Sequence, residues 1–211
     1  MSYFKNFPYV QYDFPDDIMR SFKNISIRPA IVEELKNTIT SFDTYDIKDG
    51  DTPETVAFDF YGDVNLHWLI MLSNDILNVY RDWPMSTSQF DSYLRQKYGT
   101  LQIGDSEYVL DDDQYQTYLE FSGEPANSYQ TTINFSDGAS FVVRPHHFET
   151  EDGVKYNYES VMDSEISLPD VTGVSIFSYE NTLNENKRSI IIPKGYLVEQ
   201  LKKELRDLLN E

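Results

Sequence analysis

Residues 45–75 read YDIKDGDTPETVAFDFYGDVNLHWLIMLSND, and the punctuation of this stretch decides the fold. Tyr45-Asp46-Ile47 alternates as a strand does, and Lys48-Asp49-Gly50-Asp51 is a turn in which Gly50 supplies a positive φ. Thr52 then caps a helix with Pro53 at its first position and Glu54 beside the positive end of the dipole. Val56, Ala57 and Phe60 give that helix an apolar stripe, and Gly62 stops it in the left-handed conformation. A second helix is expected from Val64 to Ser73, with Leu66, Trp68, Leu69 and Ile70 turned inward and Asn74 closing it. The order is strand, turn, helix, glycine, helix.

Upstream, residues 1–24 are aromatic (Phe4, Phe7, Tyr9, Tyr12, Phe14) and broken by Pro8 and Pro15. They read as an extended arm that must lie on another surface. A short strand at Ile25 to Arg28 and a helix from Pro29 to Thr38 follow. Downstream, Asp82-Trp83-Pro84 precedes a capping box at Ser86 and Gln89 and a helix from Thr87 to Tyr98 that buries Phe90, Leu94 and Tyr93. From Gly99 to Phe177 the pattern is β, with a hairpin of Phe141–Glu149 and Val154–Val161 around Glu151-Asp152-Gly153. The acidic stretch from Asp111 to Tyr129 reads as a mobile loop. The sequence closes with a strand at Ser189 to Ile192, a turn at Pro193-Lys194-Gly195, and an amphipathic helix from Tyr196 to Leu209 carrying Val198, Leu201, Leu205 and Leu208 at helical spacing. Those aliphatics serve either the chain's own core or a partner's groove.

The length of 211 residues allows one large domain or two small ones, and 40% hydrophobic residues argue against general disorder. The formal net charge of −19 disfavours nucleic-acid backbones and anionic lipid as partners. Sixteen tyrosines and thirteen phenylalanines exceed what a core requires, and tyrosine suits wet protein interfaces. The absence of cysteine removes disulfides, zinc–thiolate sites and thiol catalysis together. The N-terminal residues lack the basic start and apolar run of a signal peptide, and the longest apolar run, Trp68 to Leu72, is too short to span a bilayer.

No nucleophile elbow, phosphate loop, HExxH or nucleotide fingerprint occurs. The three histidines are His67, His146 and His147. On a strand the last two would point to opposite faces, leaving His147 and Glu149 as a two-ligand site at best. Carboxylate runs such as Asp111 to Asp113 read as solvated rather than as an acid–base pair. No catalytic, metal or cofactor site is expected, and the protein is not expected to be an enzyme.

Residues 45–75 resemble a LysM module, through Tyr45, Ile47, Gly50-Asp51-Thr52, Val56-Ala57, Tyr61-Gly62, Trp68, Ile70 and Asn74. The wider chain resembles the baseplate wedge protein 53 family of contractile-tailed phages. The match rests on the aromatic arm, on Tyr61-Gly62-Asp63-Val64-Asn65-Leu66-His67-Trp68, on Asp82-Trp83-Pro84, and on Asn184 to Pro193, with a weaker echo at Pro145-His146-His147-Phe148-Glu149. The resemblance implies a structural subunit of the phage tail baseplate wedge, in the virion, that binds other wedge proteins and helps join wedges into the ring. The second strand of a LysM module should follow soon after Asn74, but only Ile190-Ile191-Ile192-Pro193 fits. This late strand is therefore expected to pair with Tyr45 to Lys48.

The expected fold is α+β: a LysM-like strand-helix-helix-strand core with a β-rich insertion, an extended N-terminal arm and a C-terminal helix. The expected division is an arm and helix over 1–44, the module over 45–80, a helix plus β-rich insertion over 81–187, and a closing strand and helix over 188–211. The signature residues are Tyr45, Gly50, Asp51, Thr52, Gly62, Trp68 and Asn74. Candidate partner contacts are Phe4, Phe7, Tyr9, Tyr12, Phe14, Val198, Leu201, Leu205 and Leu208. The partners expected are other wedge proteins and neighbouring wedges, with neither nucleic acid, membrane nor glycan. The chain is expected to be a monomer in isolation, to assemble in the host cytoplasm and to occur in several copies in the baseplate. The alternative is a peptidoglycan- or chitin-binding module of a cell-wall-targeting protein, with Gly50, Asp51, Thr52 and Asn74 bordering the sugar.

Overall fold

The computed structural model describes residues 7–13, 19–24, 41–123, 129–162 and 170–210. The expected strand at 25–28 and helix at 29–38 lie outside the described residues. The chain divides into two compact units, residues 1–86 with 187–211, and residues 87–186. The fold is mixed α+β, with helices and small antiparallel sheets.

In the first unit, β1 (Tyr9–Asp13) and β2 (Met19–Lys23) form an antiparallel hairpin. This corrects the expected extended arm: alternation of Tyr9, Gln11 and Asp13 against Val10 and Tyr12 suits a strand, and Pro8 precedes the pairing rather than interrupting it. Next come β3 (Phe42–Asp46), α1 (Pro53–Tyr61), a 3-10 turn (Val64–Leu66), α2 (His67–Ser73) and the short α3 (Val79–Asp82). After residues 87–186 the unit resumes with β11 (Ser189–Pro193), a 3-10 turn (Gly195–Leu197) and the C-terminal helix α8 (Val198–Asn210). The second helix of the quoted stretch is thus shorter than expected, because Asp63 caps a 3-10 turn first by accepting from the Asn65 N–H.

The late strand pairs antiparallel with the early one, Ile190 opposite Tyr45 and Ile192 opposite Asp43, so the paired strand is Phe42–Asp46 where Tyr45 to Lys48 was expected. The ladder continues to Ile47, whose N–H donates to the Arg188 carbonyl at 2.9 Å. Two apolar clusters follow. One places Ile47, Ile190 and Ile192 against Val56, Ala57, Ile70, Ile76 and Trp83. The other packs Phe7 and Trp68 with Leu66, Leu69, Leu197, Val198, Leu201 and Leu205. Burying each of the aliphatics from α8 contributes about 1.5–3 kcal/mol.

The second unit contains α4 (Thr87–Tyr98), β4 (Thr100–Ile103), β5 (Ser106–Val109), α5 (Asp112–Glu120), β6 (Thr131–Asn134), β7 (Ser140–Val143), β8 (His147–Thr150), β9 (Lys155–Tyr156), α6 (Tyr158–Met162), β10 (Val171–Val174) and α7 (Ile176–Glu185). The strands form two separate hairpins, β4–β5 and β6–β7, and a three-stranded sheet ordered β10-β8-β9. Two expectations are corrected. Residues 112–120 are helical, not a loop: Asp111 and Gln114 form a reciprocal capping box, and Asp112 and Asp113 sit at the helix end where carboxylates are favoured. The run from Gly99 to Phe177 is not uniformly β, and the expected hairpin of Phe141–Glu149 with Val154–Val161 is reduced to β8–β9, because Tyr158–Met162 turn helical. The helix Ile176–Glu185, capped by Ser175, was not anticipated.

Candidate functional site

The signature residues meet in the first unit, and most of their polar groups are spent on holding it together. Thr52 and Thr55 form a reciprocal capping box at the start of α1. Gly50 and Gly62 have φ of 83° and 68°, the left-handed region that glycine enters without penalty. Asp51 Oδ2 accepts from Tyr45 O–H at 2.6 Å and from the Lys48 N–H at 3.0 Å. Its carbonyl accepts from Trp83 Nε1 at 2.8 Å. Burial and the Asp51 bond push the Tyr45 phenol up to about 12. Asp51 thus ties the turn to β3 and to the segment after α3.

Asn74 performs the longest-range task. Its Nδ2 donates to the Ile70 carbonyl at 2.8 Å and to the Ile191 carbonyl at 2.7 Å, while its Oδ1 accepts from the Ile191 N–H at 2.8 Å. The side-chain amide therefore imitates a neighbouring strand along β11. Tyr61 completes this edge by donating to the Pro193 carbonyl at 2.7 Å. Burial, and then the Asp43 carboxylate, raise the Tyr61 phenol far above its ordinary value. Trp68 is buried as expected. Tyr61 and Trp83 carry the resemblances but stand outside the seven signature residues, while Thr55 is in neither; its signal is an ordinary one, a hydroxyl at the third helical position.

The candidate contact residues separate into two groups. Phe7, Val198, Leu201 and Leu205 are buried against one another, so this chain's own core takes them up. Tyr9 and Tyr12 are 65% and 53% exposed, and Met19 and Phe22 join them on the hairpin surface. Tyr12 meets Phe22 edge-on at 6.2 Å, and Lys23 lies over the Tyr9 ring. Phe4, Phe14 and the side chain of Leu208 lie outside the described residues. Phe58, Phe60, Leu77 and Tyr80 add further exposed apolar surface to the first unit.

In the second unit a buried carboxylate, Glu180, is the polar centre. Its Oε1 accepts from Lys97 Nζ at 2.7 Å and Tyr98 O–H at 2.6 Å, and its Oε2 from Tyr93 O–H at 3.1 Å. Burial opposes the Glu180 charge, but Lys97 and Tyr98 outweigh it and hold the carboxyl below its ordinary value. Nearby, His146 stacks on Tyr179 with ring centroids 3.7 Å apart. His146 precedes β8, so strand alternation does not separate it from His147; their Nδ1 atoms lie 2.9 Å apart, which corrects the expected opposite facing. His147 Nε2 lies 3.5 Å from Glu149 Oε2. In the Nδ1 pair one ring donates the hydrogen and the other accepts it. His67 bonds its own helix entry, Nδ1 to the Val64 carbonyl at 2.8 Å.

A groove of about 740 Å³ in this unit is lined by Leu94, Arg95, Asp112, Tyr115, Leu119 and Phe177, but Arg95 is committed to Asp112 and to the Tyr115 ring. Among the described residues no three His, Cys, Asp or Glu converge to hold a metal ion, and no helix is long and apolar enough to cross a membrane. The family model described as base plate wedge protein 53 matches residues 17–198. No match was found among curated proteins.

Proposed function

Because the chain belongs to the base plate wedge protein 53 family, a structural family of the phage tail baseplate, we propose that it binds other wedge proteins and helps join neighbouring wedges into the ring. The observation that carries this reading is the aromatic hairpin, where Tyr9, Tyr12, Met19 and Phe22 stay exposed on a two-stranded sheet. A lone hairpin is marginal in water, and covering these rings with a partner stabilises both. The unit it belongs to acts as a LysM-like scaffold recruited to hold proteins. The Asp51 and Asn74 side chains, which a sugar site would need, are occupied by Tyr45, Lys48, Ile70 and Ile191. The protein carries out no reaction, is a monomer alone, and enters the baseplate in several copies after assembly in the host cytoplasm.

Co-expression with the wedge proteins tests this. The full chain should elute with them from a sizing column as one complex, and Tyr9→Ser/Tyr12→Ser/Phe22→Ser should release it while remaining folded by circular dichroism. Elution apart from every wedge protein, or retention of the isolated chain on peptidoglycan, would overturn the reading.

A further inference from the structure

The two-stranded sheet β3–β11 has two edges, and the protein treats them differently. The pairing puts Ile47 opposite Arg188 and Lys194 opposite Ser41, both joined by backbone hydrogen bonds. Bonded pairs therefore fall at 43/192 and 45/190 as well, and the N–H and C=O groups of the intervening residues point outward. On β11 that outer edge is closed. Asn74 takes both polar groups of Ile191, Tyr61 takes the Pro193 carbonyl, and Pro193 has no N–H to offer. On β3 the outward groups belong to Phe42, Thr44 and Asp46, and no strand or side chain among the described residues takes them. Asp43, Thr44 and Asp46 are exposed there.

An open edge is a template for another strand, and proteins normally blunt one that has no use. Side-chain charge decides what this one accepts. Asp43 and Asp46 lie on opposite faces of β3, so an added strand meets a carboxylate on either side. Lys194 stands 3.6 Å from Asp43 on the β11 side, and among the described residues no ion pair is made to Asp46. A second copy would bring four aspartates onto one ribbon of a chain already at −19. Resting on the baseplate reading above, we infer that the outer edge of β3 receives an extended, lysine- or arginine-bearing segment of another wedge protein as an added strand. Main-chain bonds to Phe42, Thr44 and Asp46 hold it, and the two aspartates select it.

The sequence has no cysteine, so Thr44→Cys gives a full chain with one thiol for a photo-cross-linker. Assembled with the wedge proteins and irradiated, it should yield an adduct to another wedge protein, within about six residues carrying at least two Lys or Arg. A synthetic peptide of that sequence should slow hydrogen exchange of the Thr44 and Asp46 amides in the wild-type chain. Asp43→Lys/Asp46→Lys should weaken that peptide at least about tenfold. An adduct to a second copy, to residues 25–40 of the same chain, or to an acidic segment overturns the inference. So does the lack of any adduct when the chain still co-elutes with its partners. Failure to co-elute overturns the baseplate reading itself, and this inference with it.

Discussion

The two units are held together by different means. In the first, side chains bond backbone across long sequence distances, as the neutral Asn74 does to Ile191 and Tyr61 to Pro193, and as Lys187 and Arg188 do to the Arg81 and Ile47 carbonyls. In the second, the long-range ties are charges and rings: Lys97 and Tyr98 on Glu180, and His146 on Tyr179. Bonds donated by an amide or a raised phenol fix strand position and keep their donors through the neutral and acidic range. A buried carboxylate network fixes the same kind of geometry, but only while its charges persist. The first unit is thus suited to present constant edges and surfaces, the second to be sensitive to its surroundings.

The contrast is broken most severely at Glu180. Glu180→Ala leaves the Lys97 ammonium and two phenols without their acceptor, and should cost about 3 kcal/mol. That is the lower end for a buried pair, because the Lys97 side chain is 45% exposed while Glu180 is 6% exposed. Denaturant melts followed by hydrogen exchange should show the loss in amides of residues 87–186. A loss under 1 kcal/mol would mean that the network does not hold the unit. Glu180→Gln, which keeps the shape and one acceptor, should recover part of the loss.

Asn74→Ala is the matching test on the other side. It removes three hydrogen bonds, two of them to the late strand, and should cost about 2 kcal/mol. The Ile191 amide should exchange faster than any other amide of β11. Asn74→Asp keeps the acceptor for the Ile191 N–H but sets a second acceptor oxygen against the Ile70 and Ile191 carbonyls, so it should lose at least as much as alanine. A smaller loss in Asn74→Asp would mean that the two donated bonds matter little.

How well each unit could be read in advance follows the same divide. The first unit announced itself because its instructions are local: Thr52-Pro53, Gly62 and Asn74 each mark an element end within one turn of the residue that does it. Even the distant pairing of β11 with β3 was legible, since Ile190-Ile191-Ile192-Pro193 was the one segment fitting a strand that the core lacked. The hairpin β1–β2 is hard to read because a proline reads as a break, whereas Pro8 precedes the paired residues. In the second unit, the run Asp111 to Asp113 hid its helix. Its charges read as solvation, yet Asp111 and Gln114 spell a capping box. The Glu180 network and the stacking of His146 on Tyr179 are not legible, because nothing in the sequence brings residue 97 to 180 or 146 to 179.

Gly62→Ala probes the local kind of instruction by itself. A Cβ there would meet nothing within 4 Å, so the cost is the left-handed backbone alone, about 1–2 kcal/mol. Gly62→Asn should lose less than alanine, since asparagine tolerates this region. Equal losses in thermal melts would point to something other than φ at this position.

The smallest effect expected is the one that best separates the units, and it lies in the His146 ring. Burial, and then the neighbouring His147, hold its pKa below the ordinary 6.5, with Lys155 and Lys97 acting in the same sense and Glu180 opposing them. A histidine depressed in the folded state is protonated more readily in the unfolded chain. Its contribution to stability is therefore complete above about pH 6.5 and is lost as pH falls through the folded value. Melting of residues 87–186, followed by exchange between pH 7.5 and 5.5, should fall with pH in the wild type. In His146→Phe, which keeps the stack on Tyr179, it should fall distinctly less. The amides of β3 and β11 should show no such dependence over this range, because Asn74 and Tyr61 keep one protonation state throughout. An equal slope in wild type and variant would place the acid sensitivity elsewhere, and leave the two units distinguished by their bonds alone.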